Sequence, residues 1–171
     1  MTGHHLSVRN SEVLAPLYGP SPLPLTAVRL RSVHLDWRGP TLTLRLDLPA
    51  PPLPLPEEWV AAGVDSVQGQ VQFLAVADLE LDEWEPPVVV SFALTEVVGG
   101  EHRMRVEVSA GEGGSFLRFT SHTDVLAGHL SGFRAGPGGD DGGPHLFRSR
   151  LDARLHPALP EPSEKTFYGR L

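Results

Sequence analysis

Alternation of apolar and polar residues is the clearest pattern in the chain. Residues 41–48 alternate four leucines with polar side chains, which predicts a strand with one buried face. Residues 28–30 and 33–37 alternate in opposite phases, so the phase changes near Ser32 and predicts a β-bulge. The turn residues 38–40 separate these runs. We therefore predict a bulged β-hairpin over 28–48.

Short strand-like runs continue along the chain, separated by proline and glycine turns. They lie at 66–76, 78–83, 88–95, 102–108, 116–121 and 125–133. Two short helices are predicted, at 11–18 with Ser11 as a capping residue and at 57–63 with Trp59 and Val60 packing inward. This order predicts a mainly β fold, either an antiparallel β-sandwich or a strongly curled sheet.

The whole chain of 171 residues is expected to form one domain. Residues 1–25 are interpreted as an N-terminal lead-in and residues 26–134 as the β-rich core. Residues 135–144 are rich in glycine and predict a flexible, solvated loop with little to bury. Residues 145–171 are expected to form an edge strand and a tail, whose Phe167 and Tyr168 would dock on the body if the tail is ordered.

Composition limits the classes of function. The formal net charge is −7, which disfavours binding to nucleic acid because such binding depends on neutralising phosphates. The charge suits a basic partner, and it equally suits plain solubility. With no cysteine, no signal-peptide pattern and no long apolar run, a soluble cytoplasmic protein without a membrane span is expected.

Residues that could carry catalysis or hold a metal are scattered. His122, Asp124 and His129 form the only local cluster of acid–base or ligand groups, and ordinary surface or hydrogen-bonded histidines are the favoured interpretation. Ser131 lacks the strained turn or neighbouring base of a nucleophile, and the loop around Asp140 and Asp141 is neither a phosphate-binding loop nor a calcium site. No catalytic residue, metal site or cofactor is predicted.

An acidic run is the feature with the most functional promise. Asp78, Glu80 and Asp82 alternate with two leucines, and Glu83 and Trp84 follow. On a strand, this spacing puts the three carboxylates on one face and the leucines toward the core. The simpler interpretation is a charged outer face that blocks edge pairing. The functional hypothesis is an interface in which these carboxylates attract a basic partner and Trp84 is an aromatic anchor.

The order of these segments resembles one known family. The run RLRSVHLDWRGPTLTLRLDL over 29–48 contains the hairpin, a Gly-Pro turn and an R-x-D-L sequence; a proline-rich crossing, residues 58–60, residues 67–76 and residues 81–84 follow. Together they resemble the immunity protein 50 family of bacterial polymorphic-toxin systems, over residues 14–133. The resemblance implies a cytoplasmic protein that binds and neutralises a toxin domain, and it implies no catalytic residues.

Two other classes of function stay open from the sequence. One is a β-sandwich that binds a small molecule or carbohydrate on a concave face containing Trp37, Trp59 or Trp84. The other is an enzyme whose site is assembled from distant residues such as His122, Asp124 and His129. For the immunity protein, an acidic inhibitor suits a nuclease-like toxin, because a nuclease groove is basic in order to hold phosphates.

Overall fold

The fold is mainly β, as the sequence predicted. The computed structural model describes residues 2–3, 5–20, 22–149 and 154. In these residues the elements are β1 (Thr2–Gly3), β2 (His5–Val8), α1 (Ala15–Tyr18), β3 (Leu23–Pro24), β4 (Val28–Asp36), β5 (Thr41–Asp47), α2 (Glu57–Ala61), β6 (Ser66–Phe73), β7 (Ala77–Leu81), β8 (Val88–Glu96), β9 (Arg103–Ser109), β10 (Ser115–His122), β11 (Asp124–Phe133) and β12 (His145–Phe147).

Strands β4 and β5 form the predicted hairpin. Leu30 pairs with Leu46 and Ser32 pairs with Arg45, so Arg31 is the extra residue of a β-bulge. The bulge therefore lies where the change of hydrophobic phase predicted it. The leucines at 42, 44 and 46 are completely buried, which confirms that one face of β5 points into the core.

The strands form one continuous sheet that folds back on itself. Its order is β3-β2-β11-β6-β5-β4-β8-β9-β10-β7. Phe73 on β6 and Phe119 on β10 would be roughly 24 Å apart in a flat sheet with about 4.8 Å between strands. Their ring centroids are 5.0 Å apart, so β6 and β10, which are five strands apart in this order, face each other across the core. The strands pair antiparallel, as predicted, except for β2 and β11, which are parallel.

The N-terminal segment is part of the core and more than a lead-in. Its apolar side chains at Leu6, Leu14, Leu17, Leu23 and Leu25 are all buried. The Asn10 side chain also bonds to the Ala127 backbone, donating to the carbonyl at 2.7 Å and accepting from the N–H at 2.8 Å. Ser11 begins a short 3-10 turn, but no side-chain capping bond forms there, so its predicted capping role is wrong.

Helix α2 presses one aromatic ring against the sheet. Trp59 is buried, whereas Val60 is 63% exposed, so the expectation that both pack inward is wrong for Val60. A Cβ atom added at Gly132 would lie 2.6 Å from the Trp59 ring. The ring can therefore approach β11 only because residue 132 has no side chain.

The segment after β11 returns to the sheet. Strand β12 pairs with the end of β11 through Ser131, Gly132 and Phe133, which places a strand at the start of the region where one was predicted. Phe167 and Tyr168, for which docking was predicted, lie outside the described residues. No helix in the described part of the chain is both long and apolar enough to span a membrane.

Candidate partner-binding edge

The predicted acidic residues lie on or just beyond β7, the last strand in the sheet order. In the described part of the chain, β7 pairs with β10 alone. Arg118 lies opposite Glu80 and Thr120 lies opposite Ala77, so β7 contains an extra residue and forms a bulge. Asp78 lies in this bulge with a φ of 52°. The acidic run therefore begins in a bulge of an edge strand and continues past the end of that strand.

The three alternating carboxylates share one face, as predicted. Glu80 and Asp82 accept hydrogen bonds from Arg118 at 2.9 and 3.1 Å, and Asp78 accepts one from the Thr120 hydroxyl at 3.3 Å. Arg118 and Thr120 are two positions apart on β10 and so point to the same side. The hydrogen bonds to Glu80 and Asp82 raise the pKa of Arg118. Arg118 is a member of this site that sequence reasoning missed.

The two leucines of the acidic strand differ from the prediction that both face the core. Leu79 is half-buried and packs against the core, but Leu81 is 49% exposed. Leu81 is the last residue of β7, the strand at the end of the sheet order. The apolar exposure of Leu81 adds to the exposed surface of β7.

Glu83 and Trp84 follow the strand and differ in exposure. Glu83 is exposed and Trp84 is half-buried. The indole of Trp84 stacks on Phe116 with 5.7 Å between centroids and 14° between ring planes. One face of this ring is therefore occupied by the protein's own core. This stacking fixes the end of the acidic run against β10.

A second charged cluster, which the sequence did not predict, lies between the hairpin and the glycine-rich loop. Arg31 donates to both carboxylate oxygens of Asp47, at distances down to 2.5 Å, and to the Gly139 carbonyl at 2.6 Å. Gln68 donates to Asp47 at 3.0 Å and to Asp141 at 2.9 Å. We call these five residues the loop clasp.

The loop clasp shifts the pKa values of two of its members. Burial alone would lower the pKa of Arg31, but the hydrogen bond and charge of Asp47, with the charge of Asp141, outweigh burial and raise it. Burial alone would raise the pKa of Asp141, but the Gln68 hydrogen bond and the charges of Arg31 and Arg45 lower it. Both groups therefore stay charged. Gly139 and Asp141 of the loop hydrogen-bond to side chains of the sheet. The expectation of a solvated loop with little to bury is therefore wrong for these residues.

Ser131 and His145 meet beside the loop clasp. The Nδ1 atom of His145 lies 2.9 Å from the Ser131 hydroxyl, and its Nε2 atom lies 2.9 Å from the Asp141 carbonyl oxygen. Because that carbonyl can only accept, Nε2 donates and Nδ1 accepts. Burial lowers the pKa of His145. Ser131 is fully buried within β11, so a substrate cannot reach its hydroxyl in this conformation.

Two residues of the cluster predicted as an alternative site bond to other groups of the protein. His122 Nδ1 accepts from the Asp124 backbone N–H at 3.1 Å, and the Asp124 carboxylate accepts from the Ser7 hydroxyl at 3.0 Å. His129 is buried. Within the described residues, no three His, Cys, Asp or Glu side chains come together in a way that could hold a metal ion.

The three tryptophans occupy different environments. Trp37 is 81% exposed at the tip of the β4–β5 hairpin, and Trp59 is buried beneath α2. Trp84 stacks on Phe116 as described. A cleft of about 370 Å³ lies next to the loop clasp, but its walls are Arg31, Arg45, prolines, glycines and two aspartates. Among the described residues that line this cleft, none is a tryptophan.

Comparison with known proteins identifies a family. No curated protein and no solved structure matches the chain. The sequence model of Immunity protein 50 matches residues 10–120. The matched range contains the hairpin, α2 and the acidic edge strand, and it ends before the glycine-rich loop. Because it covers more than half of the chain, the protein belongs to the immunity protein 50 family.

Proposed function

We propose that this protein neutralises a bacterial toxin domain by binding it, without catalysing a reaction. The observation that carries the proposal is the family match over residues 10–120. The burial of Ser131 and the local bonding of His122 and Asp124 agree with a binding role. An immunity protein can prevent toxicity either by covering the toxin's active site or by binding next to it.

The acidic edge is the surface that we assign to the toxin. It consists of Asp78, Glu80, Asp82, Glu83 and Trp84, and we call it the acidic edge from here on. The Glu80 and Asp82 side chains remain 60% and 62% exposed despite their bonds to Arg118. Because this edge has four carboxylates and Arg118 contacts two of them, the acidic edge keeps a net negative charge that favours a basic partner. A nuclease-like toxin domain has such a surface, because it must hold phosphates.

The cytoplasm is the compartment that suits this role. A toxin domain endangers its producer from the moment it is synthesised, so an inhibitor that acts by contact must meet it there. The absence of cysteine from the sequence is compatible with a reducing compartment.

The proposal is tested by purifying the full chain from its native host and identifying the protein that binds it. That protein is then expressed in a test host with and without this chain. We expect growth arrest by the partner alone and recovery when this chain is present. Binding of a partner that is not toxic, or toxicity that co-expression does not relieve, would contradict the proposed function.

The assignment of the acidic edge is tested separately, by charge reversal. The double variant Glu80→Lys with Glu83→Lys should weaken toxin binding and reduce its dependence on salt. The matched control is Glu101→Lys with Glu112→Lys, which makes the same change of net charge at exposed loop positions. Equal binding by both variants would remove the acidic edge from the interface.

A further inference from the structure

The backbone of β7 has an edge with no neighbouring strand in the described part of the chain. Such an edge presents N–H and C=O groups in a row, and another strand can bind to them. Ala77, Asp78, Glu80 and Leu81 are exposed, so the side chains of the strand do not hide this edge.

The pairing with β10 determines which backbone groups are free. The Asp82 N–H donates to the Phe116 carbonyl at 2.7 Å, and Leu81 lies opposite Leu117. In an antiparallel ladder, residues that bond to the neighbour alternate with residues that point away from it. The N–H and C=O of Leu81 therefore point away from β10, toward the open edge.

Charge decides what kind of strand fits this edge. Residues on an added strand that lie opposite Glu80 and Asp82 would have side chains on the same face as these carboxylates. Lysine or arginine at those positions would be attracted. A second copy of β7 would instead bring carboxylates against carboxylates, which is unfavourable. The occupant is therefore a basic extended segment rather than another copy of this chain.

We propose that β7 binds a basic extended segment of the toxin domain by strand addition, with Leu81 as the central bonding residue. This inference rests on the proposed function and specifies how the acidic edge would hold its partner. In the complex, the residue opposite Leu81 is apolar and bonds through its backbone. Its two neighbours are basic and face Glu80 and Asp82. The alternation of the partner is thus fixed by the alternation of β7.

A synthetic peptide tests this geometry directly. The probe is a capped seven-residue peptide that alternates lysine and valine, titrated into the full chain. Its valines would lie opposite Leu81 and bond to the edge, whereas the lysine N–H groups would point outward. N-methylation of the valines should weaken binding about fivefold or more, because each lost hydrogen bond contributes about 1 kcal/mol.

The same peptide N-methylated on its lysines is the matched control. It has the same charge and the same kind of modification, and we expect its affinity to match that of the parent peptide within about twofold. Equal weakening by both modifications, weakening by neither, or no binding of the parent peptide at about 1 mM would overturn strand addition.

A protein variant tests the inference with the toxin itself. Leu81→Pro removes the outward N–H and leaves the bond from Asp82 to β10, and an edge strand tolerates proline at such a position. Leu81→Ala keeps the N–H and removes the side chain. Once circular dichroism shows both variants folded, we expect Leu81→Pro to weaken toxin binding about tenfold and Leu81→Ala to weaken it by much less.

The two proposals fail in different ways. If wild-type protein neutralises the toxin and Leu81→Pro does so equally well, strand addition is wrong and the proposed function stands. If wild-type protein does not neutralise the toxin, the proposed function is wrong. The peptide titration still tests the free edge in that case, because it needs no toxin.

Discussion

Two arginines in this protein each contact two carboxylates, and the two sites differ in exposure. Arg31, in the loop clasp, has a side chain that is 5% exposed, and its partners Asp47 and Asp141 are 17% and 18% exposed. Arg118, at the acidic edge, is 23% exposed, and Glu80 and Asp82 are 60% and 62% exposed. The same chemistry can therefore hold a fold together or remain available to a partner, and burial decides between them.

The largest effect is expected when the cation of the loop clasp is removed. Arg31→Met leaves the partly buried Asp47 without its arginine, leaves Asp141 with Arg45 as its remaining arginine, and leaves the Gly139 carbonyl without this donor. Breaking a buried ion pair on one side costs about 3 kcal/mol. Chemical denaturation should therefore show a much lower free energy of unfolding. A value close to that of wild type would contradict the structural role given to the clasp.

A smaller effect is expected at two neighbouring glycines of the loop. Gly138 and Gly139 have φ angles of 68° and 81°, so alanine at either position costs about 1 kcal/mol. A Cβ atom at Gly139 would also lie 1.6 Å from Arg29 Nη1, while one at Gly138 meets nothing within 4 Å.

Arg29 donates hydrogen bonds to the carbonyls of Gly138 and Gly139 at 3.2 and 3.1 Å, and a methyl group at residue 139 would displace it. Gly139→Ala should therefore destabilise the protein by about 1 kcal/mol more than Gly138→Ala, because these bonds are lost. Denaturation of the two variants side by side measures the difference. Equal losses would show that the bonds from Arg29 to the loop contribute little.

Acid should weaken the loop clasp region through His145. Burial holds its pKa in the folded protein below the ordinary histidine value of 6.5, so below about pH 6.5 the unfolded chain binds a proton that folded His145 does not. Stability is therefore lost as the pH falls from neutral toward the lowered pKa.

His145→Asn should have a smaller loss of stability than wild type between pH 7 and pH 5, because the other histidines contribute equally to both proteins. Asp141 adds a second loss at lower pH, since its lowered pKa provides stability that disappears as the carboxylate becomes protonated. Identical pH profiles for wild type and His145→Asn would contradict this assignment.

The smallest effect on stability is expected at the acidic edge. Arg118→Gln removes bonds to carboxylates that are mostly in water, where ion pairs contribute little. We expect the denaturation midpoint to stay near that of wild type. The variant should bind the basic probe peptide more tightly than wild type, because the positive charge of Arg118 no longer offsets the charges of Glu80 and Asp82. A large loss of stability, or weaker peptide binding, would contradict the comparison.

The sequence predicted the local elements well because their signals are local. The leucine alternation over 41–48 marked β5, and the change of phase marked the bulge at Arg31. The placement of Glu80 and Asp82 on one face followed from the same periodicity, and Asp78 reaches the same face from the bulge. These features depend on residues that are near one another in the chain.

Contacts between distant segments could not be predicted in this way. Arg31 and Gly139 are 108 residues apart in the sequence, and Arg118 and Glu80 are 38 residues apart. Neither pairing has a periodic signal, because it depends on which strands become neighbours. The N-terminal strands are too short for alternation to show, so their burial was also missed. The loop looked solvated because glycine composition does not reveal that backbone carbonyls will accept bonds from arginines.

Amide hydrogen exchange in the full chain, alone and bound to its toxin, tests the central claim that the acidic edge receives the partner. In the free protein, the Leu81 amide should exchange quickly because it points to the open edge, and the Asp82 amide should exchange more slowly because it bonds to Phe116. Binding should protect Leu81 strongly. Protection confined to another surface, with Leu81 still exchanging quickly in the complex, would contradict the account.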